Sequence, residues 1–128
     1  MKLPRQKSEA IESYELLLAV CLAEDARLSM GYKQMRDLLE RICRSQMQNE
    51  SLQMTDLSAR ISFIAAKINL SDGEQNRLHT FRLTSNKILN RCLEPTRENL
   101  LRDAKTLAFL IRKLSGEDIP DELYNLLP

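Results

Sequence analysis

Tryptophan is absent from this chain, histidine occurs once, and its 128 residues include only three glycines and four prolines. So little glycine and proline argues against a turn-rich all-β fold. His79 stands alone, and the three cysteines (Cys21, Cys43, Cys92) are widely spaced with no Cys-x-x-Cys pair. A zinc site takes about four nitrogen or sulfur ligands at close spacing, so no metal site is expected. The odd, scattered cysteines also speak against a disulfide framework and suit a reducing cytosol. Cys21 in LLLAVCLA and Cys43 in LLERIC read as small buried hydrophobes. The longest apolar run, residues 16–23, falls far short of the roughly 20 residues that cross a bilayer. No apolar stretch follows Met1–Lys7 to make a signal peptide. These absences predict a cytoplasmic protein with no membrane partner. No GxxxxGK[ST] pattern occurs, so any ATPase must lie outside this chain, and no cofactor is expected. Charge of one sign is lacking too: 19 Lys and Arg face 18 Asp and Glu, for a net charge of +1. That excludes a nucleic-acid binder held by bulk electrostatics and an acidic disordered tail.

What remains is helical pattern from end to end. Hydrophobic residues make up 43% of the chain, and one domain takes roughly 100–200 residues. Residues 1–128 therefore form a single domain, with a core over residues 8–116 and a tail over 117–128. The first predicted helix, Ser8 to Ala26, carries Ile11, Tyr14, Leu17, Leu18 and Cys21 on one face. The second, Tyr32 to Asn49, repeats Met35, Leu38, Leu39, Ile42 and Cys43, and pairs Asp37 with Arg41 and Glu40 with Arg44 on its polar side. The third runs from Thr55 to Asn69. Ser71 and Glu74 make a capping box that opens the fourth, Asp72 to Cys92. Pro95 breaks the chain and Thr96 caps the fifth, Arg97 to Ser115, which Gly116 terminates. A short helical turn starting at Pro120 ends the tail. Short connections favour antiparallel neighbours. The expected fold is an all-α, antiparallel bundle of about five helices with a short C-terminal helical tail.

The fourth helix is unlike the rest. Leu78, Phe81, Ser85 and Ile88 give it an apolar-to-small face, and His79, Arg82, Asn86 and Asn90 form a second stripe beside that face. Thr84, Ser85 and Asn86 are mediocre helix formers, so their place in mid-helix points to close packing or side-chain hydrogen bonding. Residues 77–93 hold four bases (Arg77, Arg82, Lys87, Arg91) and no acid. Such a cluster is either a solvated face or a local phosphate-contacting strip, and with no aromatic platform its binding would be weak and salt-sensitive.

Residues 35–40 (MRDLLE), Leu57 to Ile68 and above all residues 78–90 (LHTFRLTSNKILN) resemble an HEPN-type helical domain. The subgroup in question is found as an accessory domain beside helicases and restriction-type motor subunits. The resemblance covers roughly residues 30–115. Members carry an arginine, then a small residue followed by asparagine, then a histidine a turn later. Arg82, Ser85 and Asn86 match that series, and Asn90 stands where the histidine would be. In active members the arginine and histidine line a cleft, often at a dimer interface, and cleave RNA without metal. Arg82 has the charge to steady a phosphorane, but Asn90 does not titrate near neutral pH and cannot move a proton. His79 shares the stripe, on the other side of the arginine. The resemblance thus implies an HEPN-like fold without catalytic residues. It implies a non-catalytic accessory domain, N-terminal to a larger helicase- or nuclease-type protein in DNA repair or defence. The partners it implies are a second copy, DNA or RNA, and a covalently fused helicase/ATPase region. A metal-independent ribonuclease and a homodimerising structural bundle are the alternatives. In the structural reading Arg82 pairs with an acid, Glu40 or Asp103, Asn86 satisfies a neighbouring backbone group, and His79 is a half-buried hydrogen-bonding residue.

Overall fold

The computed structural model describes residues 8–47 and 56–128. Among them are six α-helices and no strand: α1 (Glu9–Leu22), α2 (Leu28–Met47), α3 (Leu57–Lys67), α4 (Asp72–Leu89), α5 (Arg97–Ser115) and α6 (Asp121–Tyr124). Each longer helix but α2 begins at a side-chain cap, because the first turn leaves amides with no partner inside the helix. The Ile11 amide donates to Ser8 Oγ, Ala59 to Asp56 Oδ1 and Asn99 to Thr96 Oγ1. The expected capping box is formed: Glu74 N–H donates to Ser71 Oγ and Ser71 N–H to Glu74 Oε1. The α5 boundaries are those expected, with Gly116 at φ 73° closing the helix.

α1 and α5 run antiparallel along each other. At one end the Ser8 and Tyr14 hydroxyls donate to the Glu117 carboxylate and carbonyl, at 2.8 and 2.7 Å. At the other, the Arg97 guanidinium donates to the carbonyls of Cys21 and Ala23 and to Asp25. α2 packs against α1, α4 and α5, and α3 against α2 and α4. The Lys67 ammonium donates to the Gln46 carbonyl, so the ends of α2 and α3 lie together. The core where these faces meet includes Tyr14, Leu17, Tyr32, Met35, Leu39, Phe81 and Leu107, each no more than 1% exposed. Burying one such leucine contributes about 2 kcal/mol.

Four boundaries differ from expectation, one of them the end of the third helix, which stops at Lys67 rather than Asn69, where the backbone is left-handed at φ 58°. The first helix stops at Leu22 rather than Ala26: Ala23 and Glu24 are extended, and a 3₁₀ turn spans Asp25–Arg27. Arg97 bonds the carbonyls on either side of that end, a contact made from more than seventy residues away. The second helix begins at Leu28, four residues before Tyr32, and takes in Gly31. A β-carbon at Gly31 would meet Val20 Cγ1 at 3.0 Å and Leu100 Cδ1 at 3.1 Å. Glycine's cost of about 1 kcal/mol in a helix interior is offset by this close approach of α1, α2 and α5. The expected end of the second helix at Asn49 and start of the third at Thr55 lie outside the described residues. The fourth helix ends at Leu89, not Cys92. Arg91 is left-handed at φ 61°, while the amides of Arg91 and Cys92 turn back to the carbonyls of Ile88 and Lys87. That is a Schellman termination with arginine in the position glycine usually takes. On α2, Glu40 pairs with Arg36 at 3.6 Å, in place of the expected pairing with Arg44.

Candidate functional site

The apolar-to-small face of α4 is the one that faces the core: Leu78, Phe81, Ser85 and Ile88 are its buried residues. Ser85 is fully buried and donates to the Arg82 carbonyl at 2.9 Å, which satisfies its hydroxyl within the helix. The polar stripe therefore lies on the flank of α4. His79, Arg82 and Asn86 are half-buried there, and Asn90 is exposed.

Within the stripe the side-chain link joins His79 and Arg82. Arg82 Nε donates to His79 Nδ1 at 3.4 Å. Neither expected acid reaches Arg82. Glu40 is held by Arg36, and Asp103 is turned into the core to accept from the Tyr32 hydroxyl at 2.5 Å. Among the described residues no hydrogen-bond partner of the Asn86 side chain is found, so the expected bond to a neighbouring backbone group is not made. Asn90 is the C-cap of α4, its N–H returning to Asn86 O. The stripe thus ends where the resemblance would place the histidine.

With Nδ1 accepting from Arg82, the His79 proton sits on Nε2, and the ring has no free lone pair with which to take another. Burial lowers the His79 pKa below its ordinary 6.5, and the neighbouring Arg82 cation lowers it further. The imidazole is therefore neutral at pH 7. A depressed histidine pKa contributes stability that is present above the unfolded value and lost as pH falls through the folded one. Because His79 is the only histidine, NMR can follow it without assignment. Its titration midpoint is expected below 6.5, and Arg82→Ala is expected to move it part of the way back, since burial is the larger cause. A midpoint that Arg82→Ala leaves unmoved would mean that the two side chains do not meet in solution.

The four bases of this segment do not make one strip. On a helix at 100° per residue, Arg82 sits about 140–180° around the axis from Arg77, Lys87 and Arg91. These three are exposed, but Arg77 and Lys87 stand about 15 Å apart along the axis, and Arg91 belongs to the left-handed cap.

Arg77 instead joins bases from another helix. Between the first turns of α4 and the length of α5 lies an open groove of about 1000 Å³. Its lining includes Arg77 from α4 and Arg102, Lys105, Arg112 and Lys113 from α5, over an apolar floor of Leu70, Leu78, Phe109 and Leu110. Glu74 is the single acidic side chain of the lining, and Lys113 holds it at 3.1 Å, while Lys105 donates to Pro128 O, also in the lining, at 2.6 Å. The Ser71 amide and then Lys113 keep that carboxyl below its usual range. Sequence reading missed this site. Four of the five bases of α5, Arg102, Lys105, Arg112 and Lys113, fall within about 100° of its circumference, so a count of charge by face would have found that side of it. That α4 adds Arg77 opposite them is a matter of packing.

Among the described residues no three of His, Cys, Asp and Glu group to hold a metal ion, and no helix is long and apolar enough to cross a membrane. Burial pushes the Cys21 thiol up to about 11 and that of Cys43 up to about 12, so neither is a nucleophile at neutral pH. No family model matches the chain, and neither the curated proteins nor the solved structures give a match.

Proposed function

We propose that this chain is a non-catalytic interaction domain, working in the setting its HEPN-like pattern implies: beside a helicase- or nuclease-type motor in DNA repair or defence. One observation carries the reading. At the position where the resemblance would put catalysis, the sole histidine is engaged by Arg82 through Nδ1, and Asn90 caps the helix end. A cation is present, but no group is free to move the proton of a ribose 2′-hydroxyl. The long basic groove beside α4 supports a binding role in place of a chemical one.

Contact with DNA or RNA in this reading is weak and made by Arg77, Lys87 and Arg91. Three phosphate contacts give a salt slope of about −2 for a single strand, so affinity is expected to fall roughly twentyfold between 50 and 200 mM salt. Fluorescence anisotropy with a labelled single-stranded RNA measures this. The same RNA, incubated with the protein in a chelator, is expected to stay intact. The adjacency of Arg82 and His79 is what favours the second reading, a metal-independent ribonuclease. Cleavage that Arg82→Ala abolishes would establish that reading and end the first.

A further inference from the structure

We infer that the groove between α4 and α5 is a docking site for an acidic, amphipathic α-helix of a partner protein. The inference rests on the interaction-domain reading and names the partner's chemistry. Charge complementarity is the first argument. Bases rise on both walls, Arg77 on one and Arg102 and Lys105 on the other; Lys113 neutralises Glu74, and Lys105 donates to Pro128 O at 2.6 Å, which leaves Arg77 and Arg102 as the bases that face an incoming ligand. A ligand entering this groove meets positive potential from two sides, and the low-dielectric walls concentrate it.

Shape is the second argument. From Arg102 to Lys113 the wall formed by α5 is about 16 Å long, or three helical turns. The floor is apolar, with Leu70 and Phe109 half-buried and accessible above the fully packed Leu78 and Leu110. A trough of that length, greasy below and basic along its rims, matches a helix that presents apolar anchors at i, i+4 and i+7 and acids on either flank.

The floor also argues against nucleic acid as the occupant. A single strand would seek an open aromatic face on which to stack a base. The only aromatic residue in the lining is Phe109, half-buried and with the Lys105 ammonium 5.8 Å from its ring centroid, so no row of rings is there for successive bases. Aliphatic side chains between the basic walls offer a phosphate backbone nothing, whereas they offer leucine anchors a site to bury.

The test uses the full chain and a fluorescein-labelled designed peptide of about 14 residues, with leucines at i, i+4 and i+7 and glutamates flanking them. Its control is a scrambled peptide of the same composition, which keeps the charge and loses the apolar face. The designed peptide is expected to bind about tenfold more tightly than the scrambled one. Phe109→Ala, which leaves every charge in place, and Arg77→Glu, at an exposed position, are each expected to weaken it about tenfold. Melting curves check the fold, and Arg77→Glu keeps the test standing should Phe109→Ala unfold. Equal binding of the two peptides, or indifference to Phe109→Ala in a folded variant, would overturn the proposal. So would a single-stranded oligonucleotide that displaces the peptide and ignores Phe109→Ala, which would give the groove to nucleic acid. A dimer in light scattering that Arg77→Glu dissociates would give it to a second copy and likewise overturn the inference. None of these outcomes bears on RNA cleavage, so loss of the docking helix and loss of the interaction-domain reading are told apart.

Discussion

Phe81→Ala is expected to lower folding stability by about 4 kcal/mol, the range for removing a buried phenylalanine ring and leaving its cavity partly unfilled. Phe81 is 0% exposed at the centre of α4, and its ring stacks on that of Tyr32 with centroids 6.2 Å apart and planes 17° apart. The offset pair adds to the simple burial. A domain of this size has about 5–15 kcal/mol in all, so the change removes a large share of it. The melting temperature is expected to fall by about 15 °C, as calorimetry would record. Phe81→Leu, which keeps most of the volume, is expected to cost less than half as much. Phe81 immediately precedes Arg82 in the helix. Loosening its seat therefore disturbs the His79–Arg82 contact as well, and the His79 titration midpoint is expected to drift toward 6.5 in the alanine variant. A Phe81→Ala protein that melts within a few degrees of the parent would mean that α4 is not anchored to α2 through these rings.

Tyr32→Phe is expected to cost about 3 kcal/mol at neutral pH, although it removes a single oxygen. The Tyr32 hydroxyl donates to Asp103 Oδ2, and both residues are buried, at 0% and 2% exposed. Arg102 Nε approaches the other carboxylate oxygen only to 3.6 Å. Without the hydroxyl, a buried carboxylate keeps its desolvation cost and loses its one short donor, which is why the loss exceeds that of an ordinary hydrogen bond. Burial raises the Asp103 pKa above its ordinary 3.8, and the Tyr32 bond opposes that rise. Burial and the Asp103 charge in turn raise the Tyr32 phenol, so it stays protonated and remains the donor throughout the working range. The sign follows from linkage. A raised carboxyl pKa makes a contribution that is present below the unfolded value and lost as pH rises through the folded one. Tyr32→Phe lifts the folded value further, so its deficit is largest at neutral pH and shrinks on acidification. Asp103→Asn removes the titrating charge and is expected to flatten the pH dependence of stability between about pH 4 and 7. Urea melts of the three proteins at several pH values measure this. A Tyr32→Phe deficit that stays constant from neutral pH down to pH 4 would rule out an ionised Asp103 as its source.

Much of the local architecture was legible because it depends on neighbours in the chain. Ser71 and Glu74 satisfy one another's amides three residues apart, and they do so in the structure as the spacing requires. Thr96 and Gly116 bracket α5 for reasons contained in one residue each: a hydroxyl that reaches the third amide, and a backbone free to adopt φ 73°. The core face of α4 followed from the helical period alone, and Ser85 belongs to it because its hydroxyl finds a carbonyl in its own helix. The candidate stripe was legible as a stripe, but its partners were not. Arg82 has acids within reach of several plausible packings, and a linear pattern cannot say which way Asp103 turns on α5. It turns inward, because the Tyr32 hydroxyl is the donor buried there, 71 residues away. Nothing in residues 87–92 forbids one more helical turn, so it is the left-handed Arg91 that ends α4 at Leu89 and makes Asn90 its cap.

Spacing along the chain was enough for the class and the inventory: helices capped at Ser8, Ser71 and Thr96, an apolar face on each, and a polar stripe of His79, Arg82, Asn86 and Asn90 beside the core face of α4. These depend on spacing and side-chain chemistry within about one turn, which a chain carries wherever it folds. Which charged groups act together is a matter of packing. Packing turned Asp103 toward Tyr32, gave Arg82 to His79, and set Arg77 of α4 opposite the bases of α5. Electrostatic partnership depends on separation in space, and helices that meet at their apolar faces set those separations without regard to distance along the chain. A near-neutral chain thereby acquires a groove of predominantly one sign.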